Sequence, residues 1–255
     1  FVDIGCGRGE WLQKWDQKIS SSIGIEIDSN MANYCLSKGY QVIHDDAIKS
    51  LNSFADESVT LITIFHLVEH LDNNYLNQLI MACYRILDKN GILIIETPSI
   101  DSISVSTKSF YLDPTHINHI NPDGLSFLID QKGFSSSKYF YINGGPLASA
   151  SPLKITKILN GVAQDITFIA TKSVKISKLI FDDETDWQLD FNKAFSTLKA
   201  AEAYDIENEK IFNQFETKYF KASQALNLVN SELLLLRNEL KYFILAMKIL
   251  KKLLF

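Results

Sequence analysis

The opening stretch FVDIGCGRGEWL, residues 1–12, constrains the fold of this chain more than any other. A short apolar run ends in an acid, Asp3, and glycines follow at positions 5, 7 and 9. That order describes a strand turning sharply into a helix. Glycines in such a turn permit positive φ and close backbone approach to a ligand. The first strand is already ending at Asp3 and no Met precedes it, so the chain reads as a fragment lacking its natural N-terminus.

The next 160 or so residues repeat the same alternation. SIGIEID, YQVIHDD, VTLITIFHLVEHL and GILIIETP supply four further strands, the third of them running into a helix. Helical patterns separate them, over residues 9–19, 29–38 and 73–87. SSKYFYING and DITFIATKS predict an antiparallel pair at one sheet edge. The expectation is an α/β fold: a Rossmann-like, mostly parallel seven-stranded sheet with an antiparallel edge hairpin, helices on both faces. The segment 99–123 is long, polar and aromatic, a length that in a compact domain points to function or disorder.

After about Ser173 the pattern changes. From Phe212 to Leu254, apolar residues alternate steps of three and four without a break, and no glycine or proline interrupts them. That is a heptad stripe, which predicts a long C-terminal coiled-coil helix. An amphipathic helix folded back on the domain is the other reading. The predicted organisation is a domain over 1–173, a linker or helical connection over 174–205 and a coiled coil over 206–255. The a positions lack β-branched residues, so a trimer is open as well as a dimer. The closing KYFILAMKILKKLLF adds lysines to the apolar stripe, a composition that suits peripheral contact with an anionic membrane.

Composition excludes several classes. A net charge of −5 with no basic face argues against nucleic acid. Three cysteines at unrelated spacings argue against a disulfide framework and for a reducing, cytoplasmic setting. No stretch reads as a secretory signal or a membrane span.

The opening turn departs from the dinucleotide fingerprint G-x-G-x-x-G. Its acid precedes the turn, where it would repel a pyrophosphate but suit an ammonium group. A cofactor with an amino-acid end and a nucleoside end fits, which points to S-adenosylmethionine. Asp3, Gly5, Cys6 and Gly7 would cradle the amino-acid end. Glu26 and Ile27 close the second strand, where an acid can grip the ribose hydroxyls. Asp46 and Ala47 follow the third, beside the adenine. Phe65 and His66 close the fourth. All four strand ends converge on the carboxyl edge, where open α/β sheets bind ligands.

With these pieces in place, VDIGCGRGEWL, GIEID, DDAI, FHLVEHL and LDKNGILIIETPS resemble the class I S-adenosylmethionine-dependent methyltransferases over residues 1–172. SFYLDPTHINHINPDGLSFLIDQKGF is further similar to a segment of bacterial methyltransferases of O-antigen and related surface-polysaccharide assembly, often fused to coiled coils. It departs from that pattern at HINHINPD, where Asn stands in place of a commoner proline, and at Thr60, where many relatives carry Asp. The resemblance implies O-methylation of a sugar or sugar phosphate, for chain termination or modification. It also implies self-association as a trimer or dimer, near the inner face of the cytoplasmic membrane. A small-molecule O- or N-methyltransferase and a non-catalytic coiled-coil scaffold are the alternatives.

A hydroxyl acceptor needs a base, and histidine suits neutral pH. His66, His70, His116 and His119 are the candidates. His116, oriented by Asp113, is the first choice and His70 the second. Tyr111 and His119 are read as acceptor contacts, with Phe110 and Tyr111 either stacking under a sugar ring or anchoring the loop. No metal is expected, because Glu69 offers one carboxylate, with Asp72 beyond it, and a hard cation needs several oxygens.

Overall fold

The structure, a computed structural model, describes residues 1–15, 21–145, 147–150, 152–181 and 194–254, with side chains at 148, 242, 245, 246 and 249–254 outside the description. The chain divides into two compact units, Phe1–Glu202 and Ala203–Phe255.

The first unit is built on a seven-stranded sheet. Its strands are β1 (Val2–Ile4), β2 (Ile23–Glu26), β3 (Val42–His44), β4 (Val59–Phe65), β5 (Leu87–Pro98), β6 (Ser136–Ile142) and β7 (Asp165–Thr171), in the order β3-β2-β1-β4-β5-β7-β6. β1 to β5 pair in parallel, and β7 runs antiparallel to both β5 and β6. The expected sheet, with its reversed edge, is therefore present. The edge pair is joined by a long connection rather than a tight turn, because helix α6 (Ile155–Gly161) lies between its strands.

Helices α1 (Glu10–Trp15), α2 (Ser29–Ser37), α3 (Ala47–Leu51), α4 (Asn73–Ile86) and α5 (Pro122–Gln131) follow their strands. Local chemistry starts three of them: Asp28, Asp46 and Asp72 each cap a helix N-terminus with a carboxylate oxygen. The apolar faces of α4 and α5 meet β1, β4, β5 and β7 in one core that includes Ile62, Ile64, Leu79, Ile80, Ile95, Ile129 and Phe168. A smaller cluster of Phe1, Cys6, Leu12 and Cys35 lies under the opening turn. All three cysteines are free and buried.

Three expectations change in detail. The helix expected over 9–19 is described as Glu10–Trp15, with residues 16–20 outside the described ones. The helix expected after β4 is a single 3-10 turn, Val68–His70, because Leu71 turns extended and Asp72 caps α4 directly. The segment 99–123 is not a plain loop: it winds through a π turn, Val105–Ser109, and a 3-10 turn, Phe110–Leu112. Within the expected linker or helical connection, 174–205, lie α7 (Val174–Phe181) and residues outside the description over 182–193.

α8 (Thr197–Leu254) is one helix of 58 residues. Its heptad positions are open to solvent: Phe215, Leu226, Leu233, Leu240 and Met247 are each more than half exposed. Among the described residues no helix is long and apolar enough to cross a membrane. The side chains of Lys251 and Lys252, part of the expected membrane-facing cluster, lie outside the described ones.

Candidate active site

Strand β1 ends at the point where its neighbours β2 and β4 lie on opposite sides, and the turn after it faces the carboxyl edge. Gly5, Gly7 and Gly9 have φ of 71°, 54° and 78°. At Gly5 a Cβ would also come within 3.2 Å of Leu67, so glycine is required there twice over. At Gly7 a Cβ would meet only the tip of Glu10, at 4.0 Å, so space opens over its backbone.

Glu26 ties this turn to β2. One of its oxygens accepts from the Gly7 amide and the other from the Asp28 amide, each at 2.8 Å. A carboxylate has about four acceptor sites, so each oxygen retains a lone pair for a ligand hydroxyl. Ile27, just beyond it, is 70% exposed, an apolar surface at a polar edge.

Asp3 is 3% exposed and accepts a 2.6 Å hydrogen bond from Thr63. Burial pushes its pKa up to about 7; the Thr63 bond opposes this, and the nearby charges of Glu10 and Glu26 add to it. A buried carboxyl surrounded by acids favours a cationic partner. The turn, Glu26 and Asp3 thus fit the amino-acid and ribose ends of S-adenosylmethionine.

Asp46 is more committed than its sequence position suggests. It caps α3 through one oxygen and accepts from the Tyr75 hydroxyl at 2.6 Å through the other. Ala47 opens α3 beside it. Cys6 is buried under the turn, and Phe65 packs edge-on against Trp11 at 5.1 Å.

His66 is exposed and sits in the left-handed region at φ 49°. Its ring stands between Glu69 and Glu96, each at 3.4 Å, with Asp165 at 4.0 Å. The carboxylates beside its ring, Glu69 first and then Glu96, raise its pKa to about 10, against a smaller opposing effect of burial. His66 is therefore an imidazolium at neutral pH and no base.

The other polar group forms where the 3-10 turn after β4 meets the segment 99–123. Leu67, which covers Gly5, precedes this turn. The amides of Ile117 and Asn118 both donate to the Glu69 carbonyl, and the Asn118 side chain donates to the Leu71 carbonyl. These bonds bring His116 next to His70, with ring centroids 4.6 Å apart.

The partners of both rings fix where their protons lie. The Thr115 hydroxyl donates to Asp113 at 2.6 Å, so its oxygen must accept from His70 Nδ1 at 2.8 Å. His116 Nδ1 lies 2.7 Å from the Phe110 carbonyl, which can only accept. Each ring therefore carries hydrogen on Nδ1 and, when neutral, a free lone pair on Nε2.

Asp113 thus acts on His70 through Thr115, not on His116 as its spacing suggests, because the turn at Pro114 points its carboxylate back onto Thr115. His119 stacks on Phe110 at 3.7 Å, and its pKa is lowered, first by burial and then by His116. Phe110 is buried and anchors the segment, whereas Tyr111 is exposed. Nothing in the sequence singles out Thr115 or Thr97, and Glu69 reads there only as a lone carboxylate. Thr97 donates to Glu69 at 3.0 Å, and no local pattern announces a contact between residues 28 apart.

Residues 2–95 match the family described as a methyltransferase domain. Among solved structures, the chain is similar to a SAM-dependent methyltransferase from Archaeoglobus fulgidus: 30% identity, 66% of this chain and 84% of that one covered, TM-score 0.59. Two more distant structures share the fold. One is phosphoethanolamine N-methyltransferase 2 from Haemonchus contortus with S-adenosyl-L-methionine, at 17% identity over 68% of this chain and 48% of that one, TM-score 0.53. The other is geranyl diphosphate C-methyltransferase from Streptomyces coelicolor, at 15% identity over 67% and 70%, TM-score 0.51. No curated protein sequence matches the chain.

Proposed function

The chain belongs to the class I S-adenosyl-L-methionine-dependent methyltransferases, and from that premise we propose that it methylates a hydroxyl of a sugar or sugar phosphate in a bacterial surface polysaccharide. S-adenosyl-L-methionine is its cofactor and supplies a methyl group on a positively charged sulfur. Asp3 and the glycine turn bind the amino-acid end of the cofactor, with Cys6 beneath. Glu26 takes the ribose hydroxyls with its remaining lone pairs. Ile27 forms the apolar floor for the adenine, with Asp46 and Ala47 at its edge.

The transfer itself asks for alignment and for removal of one proton. The O–CH₃ bond forms as the S–CH₃ bond breaks, and the hydroxyl proton leaves. The observation that carries the acceptor assignment is the pair of free Nε2 lone pairs on His70 and His116. His70 lies in the turn that follows Leu67, the residue over Gly5, and His116 packs against His70, so the proton-accepting corner adjoins the cofactor turn. A saccharide acceptor is supported by the similarity of residues 109–134 to polysaccharide methyltransferases. The exposed ring of Tyr111 is suited to packing against a sugar face.

The open apolar stripe of α8 supports self-association through a coiled coil, as a trimer or dimer. Such an assembly would gather catalytic units at the inner face of the cytoplasmic membrane.

The test is transfer of labelled methyl from S-adenosylmethionine onto purified surface glycan, run beside a panel of small amines, phenols and phosphobases. Labelling of glycan alone is expected. Labelling confined to the small molecules would replace the saccharide with a small-molecule acceptor. No transfer to either, without cofactor binding, would leave a scaffold.

A further inference from the structure

Glu69, His70 and His116 bring one carboxylate oxygen and two imidazole nitrogens within 4.8 Å of one another. Glu69 is fully buried, yet its Oε1 accepts no hydrogen bond. Its nearest nitrogens, His66 Nδ1 at 3.4 Å and His116 Nε2 at 3.9 Å, fall short of one. A buried carboxylate oxygen left without a donor is costly. A neutral His116 ring faces that oxygen with a lone pair at 3.9 Å, and acceptors do not satisfy one another. A base explains one such imidazole. It explains neither the second nor the orphaned oxygen.

We propose that Glu69 Oε1, His70 Nε2 and His116 Nε2 bind a divalent first-row transition ion, which holds and acidifies the acceptor hydroxyl. Two histidines and one carboxylate on one side of an ion leave positions open for substrate. Imidazole donors select such ions over magnesium, which takes oxygen ligands. The surroundings match what ligating histidines need. Each ring donates its other nitrogen to an acceptor, His70 to Thr115 backed by Asp113, and His116 to the Phe110 carbonyl. Thr97 holds the second oxygen of Glu69 and turns Oε1 toward the histidines.

His66 does not block the site. It keeps Glu96 and Asp165 as partners when the ion occupies Oε1. A second group, His66 with Glu96 and Asp165, has similar spacing. Its histidine ring, however, already has a carboxylate at each nitrogen, Glu69 at Nδ1 and Glu96 at Nε2.

This inference rests on the hydroxyl-methylation reading for the ion's role, but not for its binding. With the ion in place, the acceptor oxygen ligates it and loses its proton to solvent at lower pH than it otherwise would. That oxygen then takes the methyl group as the sulfonium becomes a thioether.

The test uses the full chain, stripped with chelator and titrated with Co²⁺ alone, followed by visible absorption. One equivalent should give a ligand-field spectrum. Glu69→Gln and His116→Ala should each weaken binding by about 100-fold or more, and Thr115→Val by about 10-fold. Retained S-adenosylmethionine affinity in each variant shows that it is folded. His66→Gln should leave Co²⁺ affinity unchanged or tighten it. No Co²⁺ binding by the wild type overturns the proposal. So does binding that survives Glu69→Gln and His116→Ala but is lost in His66→Gln. Ion binding without glycan methylation would keep this site and remove the saccharide. Glycan methylation by a stripped enzyme that binds no Co²⁺ would do the reverse.

Discussion

The two halves of the proposed site are made differently. The cofactor half is made of backbone and strand ends: the turn from Gly5 to Gly9, the Glu26 carboxylate bridging two amides, and Asp3 at the end of β1. The acceptor half is made of side chains carried by segments more than 40 residues apart, joined by Thr115 to His70 and by Asn118 to Leu71. The first half is proposed to bind a charged ligand, and its frame is satisfied by its own hydrogen bonds. The second half holds its reactive atoms unspent. A site that must move a proton or grip an ion cannot pair those atoms internally.

The largest expected effect separates the halves by turnover. His116→Ala should lower the methyl-transfer rate by about 10²- to 10⁴-fold, the usual worth of a group that activates an acceptor proton. Its cofactor affinity should not change. If His70→Ala abolishes turnover and His116→Ala does not, His70 is the main contributor. Steady-state kinetics beside calorimetry reads both quantities.

Next come the acids of the cofactor half. Asp3→Ala and Glu26→Ala each remove charge-assisted hydrogen bonds, about 1.5–3 kcal/mol or roughly 10- to 100-fold in cofactor affinity. The thermal midpoint of Asp3→Ala should hold or rise, because a buried carboxyl with a raised pKa is no asset to the empty fold.

That raised pKa also gives a pH effect of smaller size. Below about 7 Asp3 is protonated and offers a cation nothing. Cofactor affinity should therefore fall by up to about tenfold per unit as pH drops below 7. For folding without cofactor the sign is opposite. The carboxyl's folded pKa lies above its ordinary value of 3.8, so its contribution to stability is present below about 4 and is lost as pH rises through about 7. Denaturation at several pH values, with and without cofactor, reads this difference.

Gly5→Ala should act last and locally. Positive φ strains it, and Leu67 must give way at 3.2 Å. A cost of about 1–3 kcal/mol is expected. Because Leu67 leads into the Glu69–His70 turn, this substitution should disturb both halves together.

The contrast between the halves also governs what the sequence displays. The proposed cofactor contacts Asp3, Glu26 and Phe65 stand at or next to the ends of apolar runs, so periodicity alone points to them, while Asp46 lies two residues past β3. The seven strands are legible for the same reason. Spacing pairs Asp113 with His116, yet the fold turns it onto Thr115, which meets His70, because a turn at Pro114 decides where it points. Glu69 looked like a lone carboxylate, and only the docking of residues 117–118 onto it sets two histidines beside it. The apolar stripe of α8 was visible as a heptad, and it stays exposed in the single chain.

The central claim is that one half binds S-adenosylmethionine and the other acts on the acceptor. Calorimetric titration of S-adenosylmethionine into the wild type, Asp3→Ala and His116→Ala tests it most directly. The account predicts one site, equal affinity in the wild type and His116→Ala, and affinity about 10- to 100-fold weaker in Asp3→Ala. Equal affinity in all three, or a loss in His116→Ala as large as that in Asp3→Ala, would contradict it.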